Sequence, residues 1–199
     1  MDSPISTQGQ GLPDERQNRN PYPFSIQLKR AAWMVMSLLF KWSPRPFHGW
    51  RRAILRLFGA DLPHPVHVWR TARIEFPWNL KMGRLATLAE GTWIYNLDLI
   101  EIGAFATVSQ RAFLCTGTHD YTLPDMPLVT KPIRIGEGAW VGADVFVGPG
   151  VTIGKGAVVA ARSVVVKDLP ELMVCAGHPC KPLKPRFPAS EDPAPSTPS

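Results

Sequence analysis

Residues 135–168 read IGEGAWVGADVFVGPGVTIGKGAVVAARSVVVKD, with a β-branched aliphatic residue at every sixth position: Ile135, Val141, Val147, Ile153, Val159 and Val165. Four places after each of the first five stands a small or β-branched residue, Ala139, Val145, Val151, Ala157 and Ser163. Glycine follows the aliphatic residue at once in four units, as Gly136, Gly142, Gly148 and Gly154. A helix turning every 3.6 residues gives no strict period of six, and strand alternation alone does not place glycine at one phase. The pattern is that of a hexapeptide-repeat parallel β-helix, in which each unit forms one short side of a triangular coil. The aliphatic residue then points into the prism, while the glycine and the small residue allow the tight corner.

Upstream the repeat is weaker. It begins near Val68 and Ile74, sharpens at Met82, Leu88 and Ile94, slips by two residues, and resumes at Ile102, Val108 and Leu114. Three units make a coil, so residues 82–99, 102–119 and 135–168 supply about four coils and residues 68–81 a fifth. The period lapses over THDYTLPDMPLVTKP, an excursion of the kind that carries function on a regular scaffold. The expected organisation is a disordered terminus over 1–20, a basic helical segment over 21–65 and a β-helix over 66–170 with its loop at 119–134. An exit segment over 171–187 and a disordered Pro/Ser-rich tail over 188–199 complete it. Within the basic segment, residues 25–42 read as one helix capped by Ser25, and Trp50 to Phe58 as a second, with Gly59 just past its end.

Composition narrows the class. With 199 residues, 45% of them apolar, the chain suits one soluble domain with extensions. Cys115, Cys175 and Cys180 are too few for a disulfide framework, and with no signal-peptide pattern they favour a reducing cytoplasm. The longest apolar run, Ala31 to Phe40, is half of the roughly 20 residues a membrane-spanning helix needs. The net charge of +6 is local: residues 16–60 hold nine of the 22 bases and no acid. Residues 1–15 hold three of the 16 acids, which leaves 61–199 balanced. Such a segment, interleaved with Trp33, Trp42, Phe47, Trp50 and Phe58, fits an anionic membrane face, or a cap on the open end of the solenoid with its arginines solvated.

KPIRIGEGAWVGADVFVGPGVTIGKGAVVAARSVVVKDLP followed by AGHPCKPLK resembles the C-terminal half of the hexapeptide-repeat O-acetyltransferases, the group holding maltose, galactoside and serine acetyltransferases. WRRAILRLFGAD, FPWNLKMG, WIYNLD and LCTGTHDY resemble, within that group, the colanic acid biosynthesis acetyltransferase family. The resemblance covers roughly residues 20–186. It implies a mostly β, left-handed parallel β-helix and a homotrimer with acetyl-CoA in the groove between subunits. It also implies an O-acetyltransferase that modifies a sugar hydroxyl in exopolysaccharide biosynthesis, at a cytoplasmic site or peripherally at the inner membrane face. A lipid-linked saccharide fits as acceptor, and no nucleic acid is expected.

Acetyl transfer to an alcohol needs a base for the hydroxyl and stabilisation of the oxyanion. His119 matches the family's catalytic histidine, and an unperturbed imidazole is largely neutral at pH 7. Asp120 follows it, though successive side chains of an extended segment point apart. His48, His64, His67 and His178 lack such support. Asn96 matches a family asparagine at the acceptor site, and equally suits a structural corner; Asp98 is a weaker candidate of the same kind. For acetyl-CoA the resemblance assigns Trp140, Gly142, Ala160 and Ala161 to the pantetheine arm, and Lys167 and Lys181 to the phosphates. Arg162, Val166 and His178 depart from the family's glycine, threonine and asparagine. Cys115 and Cys180 read as packing residues, which favours direct transfer. No cluster has zinc spacing, so no metal is expected. A non-catalytic scaffold on this fold is the alternative to the enzyme. A metal-dependent hydratase on it would need three histidines around one interface.

Overall fold

The structure, a computed structural model, describes residues 23–187 apart from Arg45 and His64; the expected tails at 1–20 and 188–199 and His64 lie outside the described residues. Two helices, α1 (Phe24–Lys41) and α2 (His48–Leu57), precede the solenoid. The first coil is β1 (His67–Val68), β2 (Arg73–Ile74) and β3 (Leu80–Met82), and the second is β4 (Thr87–Leu88), β5 (Trp93–Tyr95) and β6 (Ile100–Ile102). The third runs through β7 (Thr107–Val108), β8 (Phe113–Cys115), the excursion strands β9 (Gly117–His119) and β10 (Leu128–Thr130), and β11 (Ile133–Ile135). Then come β12 (Trp140–Val141), β13 (Phe146–Val147) and β14 (Thr152–Ile153), followed by β15 (Val158–Val159) and β16 (Val164–Val165). The chain leaves through a hairpin of β17 (Met173–Gly177) and β18 (Cys180–Pro185).

Like strands of successive coils stack in parallel register and form three faces. Face A is β3-β6-β11-β14, face B is β1-β4-β7-β12-β15 extended by β17 and β18, and face C is β2-β5-β8-β13-β16. The result is a left-handed β-helix of about five turns. The aliphatic ladder fills the prism: Ile135, Val141, Val147, Ile153, Val159 and Val165 are each at most 2% exposed.

The glycines that follow the aliphatic residues serve close approach rather than unusual dihedrals. A Cβ on Gly136 would sit 2.5 Å from the Lys155 nitrogen of the next coil. The positive φ at that corner falls two residues later, on Gly138 and Gly156 but also on Leu85 and Phe105. The two-residue slip is likewise architectural. Ile74 to Met82 and Ile94 to Ile102 each span eight residues instead of six, at the corner from face C to face A. The excursion leaves the third coil at that same corner and is itself an antiparallel hairpin, Leu128 opposite His119 and Thr130 opposite Gly117.

The helices close the open end of the prism with Trp33, Phe40, Ile54 and Leu55, all buried. Ser25 is not the cap of α1, which starts after Pro23. The arginines of α2 bond back to the chain beneath them, although Arg56 stays exposed. Arg51, 1% exposed, donates to the Val68 carbonyl at 2.7 Å, the Ser43 hydroxyl at 2.9 Å and the Pro44 carbonyl at 2.9 Å. Arg52 donates to the Val66 carbonyl and Arg56 to the Leu62 carbonyl. A first coil has no preceding coil to bond its outward carbonyls, and these guanidinium groups take that part.

Candidate active site

Two corners, one on either side of face C, hold the residues singled out in the sequence. At the corner from B to C, Trp140, Gly142, Ala160 and Ala161 come together with Ser109, Gln110, Ala143, Val158 and Val159 around a mostly apolar cleft of about 410 Å³. Trp140, half exposed, is aimed by its indole nitrogen, which donates to the buried Ser109 hydroxyl at 2.8 Å. Spacing gave no signal for Ser109, because it touches Trp140 only after one coil stacks on the next. Gly142 is fixed by packing: a Cβ there would lie 2.6 Å from the Val159 carbonyl oxygen and 2.7 Å from the Ala161 nitrogen. The row continues past the last coil. Ala160 donates its N–H to the Cys175 carbonyl, and Lys181, opposite Ala176 on β18, stands exposed beyond it. From β7 to β18 this row climbs four strand spacings, about 19 Å. Arg162 follows the cleft residues with φ of 60°, a left-handed conformation better suited to the glycine it replaces.

The corner from C to A carries the excursion. Its root is tied to the coil below: Thr116 donates its hydroxyl to the Tyr95 carbonyl and accepts the Asp98 N–H, while the Lys131 N–H meets the Thr116 carbonyl. A Cβ on Gly117 would press 2.6 Å from Leu97 Cδ1, so the hairpin lies directly on that coil. His119 is exposed, with Nδ1 2.6 Å from the Met126 carbonyl oxygen. A carbonyl only accepts, so Nδ1 carries the hydrogen and, in the neutral ring, Nε2 keeps its lone pair toward solvent. Met126 turns back toward His119 with φ of 45°. Asp120 does not serve His119. Its carboxylate accepts the hydroxyl and N–H of Thr122, and these bonds hold its pKa below the usual carboxylate range.

Asn96 requires a correction. It is fully buried, accepts the Phe76 N–H at 3.0 Å and donates to the Phe76 carbonyl at 2.6 Å. Its amide is consumed by the corner, so of its two readings the structural one fits. Asp98 is half-buried, and its Oδ1 accepts the Leu99 N–H at 2.6 Å. It stands at the same corner as His119, one coil below. Lys167 also belongs to this corner, exposed after β16, and not to the row that contains Lys181.

Burial raises the Cys115 thiol pKa, and the thiol donates to the Gly117 carbonyl. Burial likewise raises that of Cys180, and neither has the character of a thiolate nucleophile. His48 is bound up in the cap, its Nδ1 3.1 Å from the Val68 carbonyl. Among the described residues no three His, Cys, Asp or Glu side chains are grouped to hold a metal ion.

The fold and its repeats define a class, and residues 132–167 match the family model for the bacterial transferase hexapeptide, six repeats. A hexapeptide-repeat acetyltransferase of Vibrio cholerae superposes with a TM-score of 0.75 and 27% identity, over 83% of this chain and 95% of its own. A maltose O-acetyltransferase of Clostridium difficile gives a TM-score of 0.73 and 27% identity, over 82% and 89%. In Escherichia coli, "Putative colanic acid biosynthesis acetyltransferase WcaF" is 43% identical over 154 residues, which is 77% of this chain and 85% of that protein. The chain belongs to the same family as that protein, among the hexapeptide-repeat acetyltransferases, and is itself an acetyltransferase.

Proposed function

We propose that this enzyme transfers the acetyl group of acetyl-CoA directly to a hydroxyl of a saccharide used in exopolysaccharide synthesis, with His119 as general base. One observation carries the reading: His119 is held by the Met126 carbonyl in the tautomer whose Nε2 is a free acceptor, at the root of the excursion from an otherwise regular solenoid. Nε2 takes the proton from the acceptor hydroxyl as its oxygen attacks the thioester carbonyl. The C–O bond forms, the C–S bond breaks, and the thiolate leaves with the proton returned by the imidazolium. Half-buried Cys115 and buried Cys180, whose thiol pKa values burial raises, support direct transfer without an acyl-enzyme. Asp98, one coil below the histidine, is the side chain suited to bind the acceptor. The relatives' names support the donor and the acceptor class: the Vibrio cholerae enzyme has been solved in complex with acetyl coenzyme A, and the Escherichia coli relative is named for colanic acid.

The unit that works is a homotrimer with face C toward its axis. The outward side chains of that face are Trp93, Phe113, Phe146 and Val164, with Trp93 and Phe113 stacked at 4.5 Å. Covering them in a closed ring sets the B–C corner of one subunit beside the C–A corner of the next. The Trp140 cleft with Lys181 then faces the His119 loop and Lys167 of its neighbour, which unites residues that one chain keeps apart. The apolar cleft suits a pantetheine arm, and the two lysines suit the phosphates.

The test is turnover of acetyl-CoA with a panel of saccharides. His119→Ala is expected to lower kcat by roughly 10²–10⁴-fold with CoA binding little changed. Near-wild-type turnover in that variant would remove His119 as the base.

A further inference from the structure

α1 has a second apolar edge that the cap does not use. Phe24, Leu28, Ala31, Val35, Leu38 and Trp42 recur at alternating intervals of four and three, with Leu39 beside them. This spacing places them in one stripe, on the side of the helix away from buried Trp33 and Phe40. Leu28 is 63% exposed, Val35 66% and Trp42 84%. The stripe runs along all 18 residues of the helix, about 27 Å, a contiguous apolar surface of the kind that marks a docking site.

The charges beside the stripe choose the occupant. α1 carries Lys29, Arg30 and Lys41 and no acid; Lys29 lies over the Trp78 ring and Arg30 over that of Phe76, while Lys41 stands exposed near the end of the stripe. Two copies of α1 packed together would set base against base, whereas a helix seam between copies relies on opposite charges at its flanks. An anionic lipid surface complements this excess of bases, Lys41 foremost, and the aromatic residues at both ends, Phe24 and Trp42, suit a membrane interface. No described helix is long and apolar enough to cross a membrane.

We propose that the outer face of α1 docks on a lipid bilayer, lying in the interfacial plane with this stripe inserted. The mode differs from what the basic composition implies. Arg51, Arg52 and Arg56 are committed to carbonyls of the cap, so apolar insertion carries the binding and charge assists it. This surface is independent of the acetyl-transfer reading.

Co-sedimentation of the full chain with vesicles of phosphatidylcholine, with and without phosphatidylglycerol, tests it. Binding is expected to both, stronger with phosphatidylglycerol, and to weaken less than about tenfold when salt rises from 0.1 to 0.5 M. Val35→Asp with Leu39→Asp should lower partitioning by at least about 100-fold, from the apolar surface lost. Quenching of tryptophan fluorescence by brominated acyl chains should fall in Trp42→Phe, a readout that leaves the stripe apolar. Three results would overturn the proposal: no binding to either vesicle, binding abolished by salt alone, or dissociation of the oligomer by the double substitution. The last would make the stripe a contact between subunits.

Discussion

Faces A and C of the prism are built from the same unit and carry opposite outer surfaces. Along face A the outward side chains are Lys81, Glu101, Arg134 and Thr152, all exposed, with Arg134 and Glu101 3.8 Å apart. Along face C they are Trp93, Phe113, Phe146 and Val164 above Arg73, the aromatic rings packed on one another. Inward positions must be aliphatic on both faces because the prism has no other core. Outward positions are free of that demand, so what occupies them reports what covers the face. Face A is dressed for water, and face C for the subunit contact proposed above.

The strongest way to break this contrast is to charge face C. Phe113→Glu should dissociate the trimer, read by light scattering, and lower turnover by more than about 10³-fold, because a buried unpaired carboxylate costs several kcal/mol. Next in size is the cap that positions the first coil of both faces. Arg51→Ala takes the guanidinium donor from the Pro44 carbonyl and the Ser43 hydroxyl and leaves the Val68 carbonyl only its contact with His48, and should cost about 2–4 kcal/mol by denaturant unfolding. Smaller effects are expected at the flanks of face C. Lys167→Ala and Lys181→Ala should each raise the KM for acetyl-CoA roughly tenfold with kcat nearly kept, and unchanged CoA binding by calorimetry would remove that lysine from the site. The least effect belongs to face A: Arg134→Glu breaks an exposed pair and should leave assembly intact and activity within about twofold.

The coil count and the inward ladder were legible because a period of six leaves few alternatives. The slip at Ile94 to Ile102 could be seen, but not that Ile74 to Met82 repeats it and that both mark the corner from which the excursion departs. The cleft residues were legible only through resemblance, since Trp140 and Ala160 meet by stacking of coils 18 residues apart. The cap was legible, but not the burial of Arg51 within it, because a sequence does not display which backbone carbonyls lack partners. Asn96 shows the reverse: an amide with two plausible uses is decided by the Phe76 backbone beside it. Lys167 and Lys181 read as one phosphate pair, yet they occupy different corners, which the proposed trimer would bring together.

Complementation between two inactive chains tests that sharing most directly. His119→Ala removes the base at the C–A corner, and Ala160→Trp fills the cleft at the B–C corner, so each homotrimer alone should be inactive. Co-expressed and randomly mixed, they should recover about a quarter of wild-type activity, because one groove in four then draws both intact corners from neighbouring chains. No recovery from trimers shown to contain both chains would contradict a site shared across the interface.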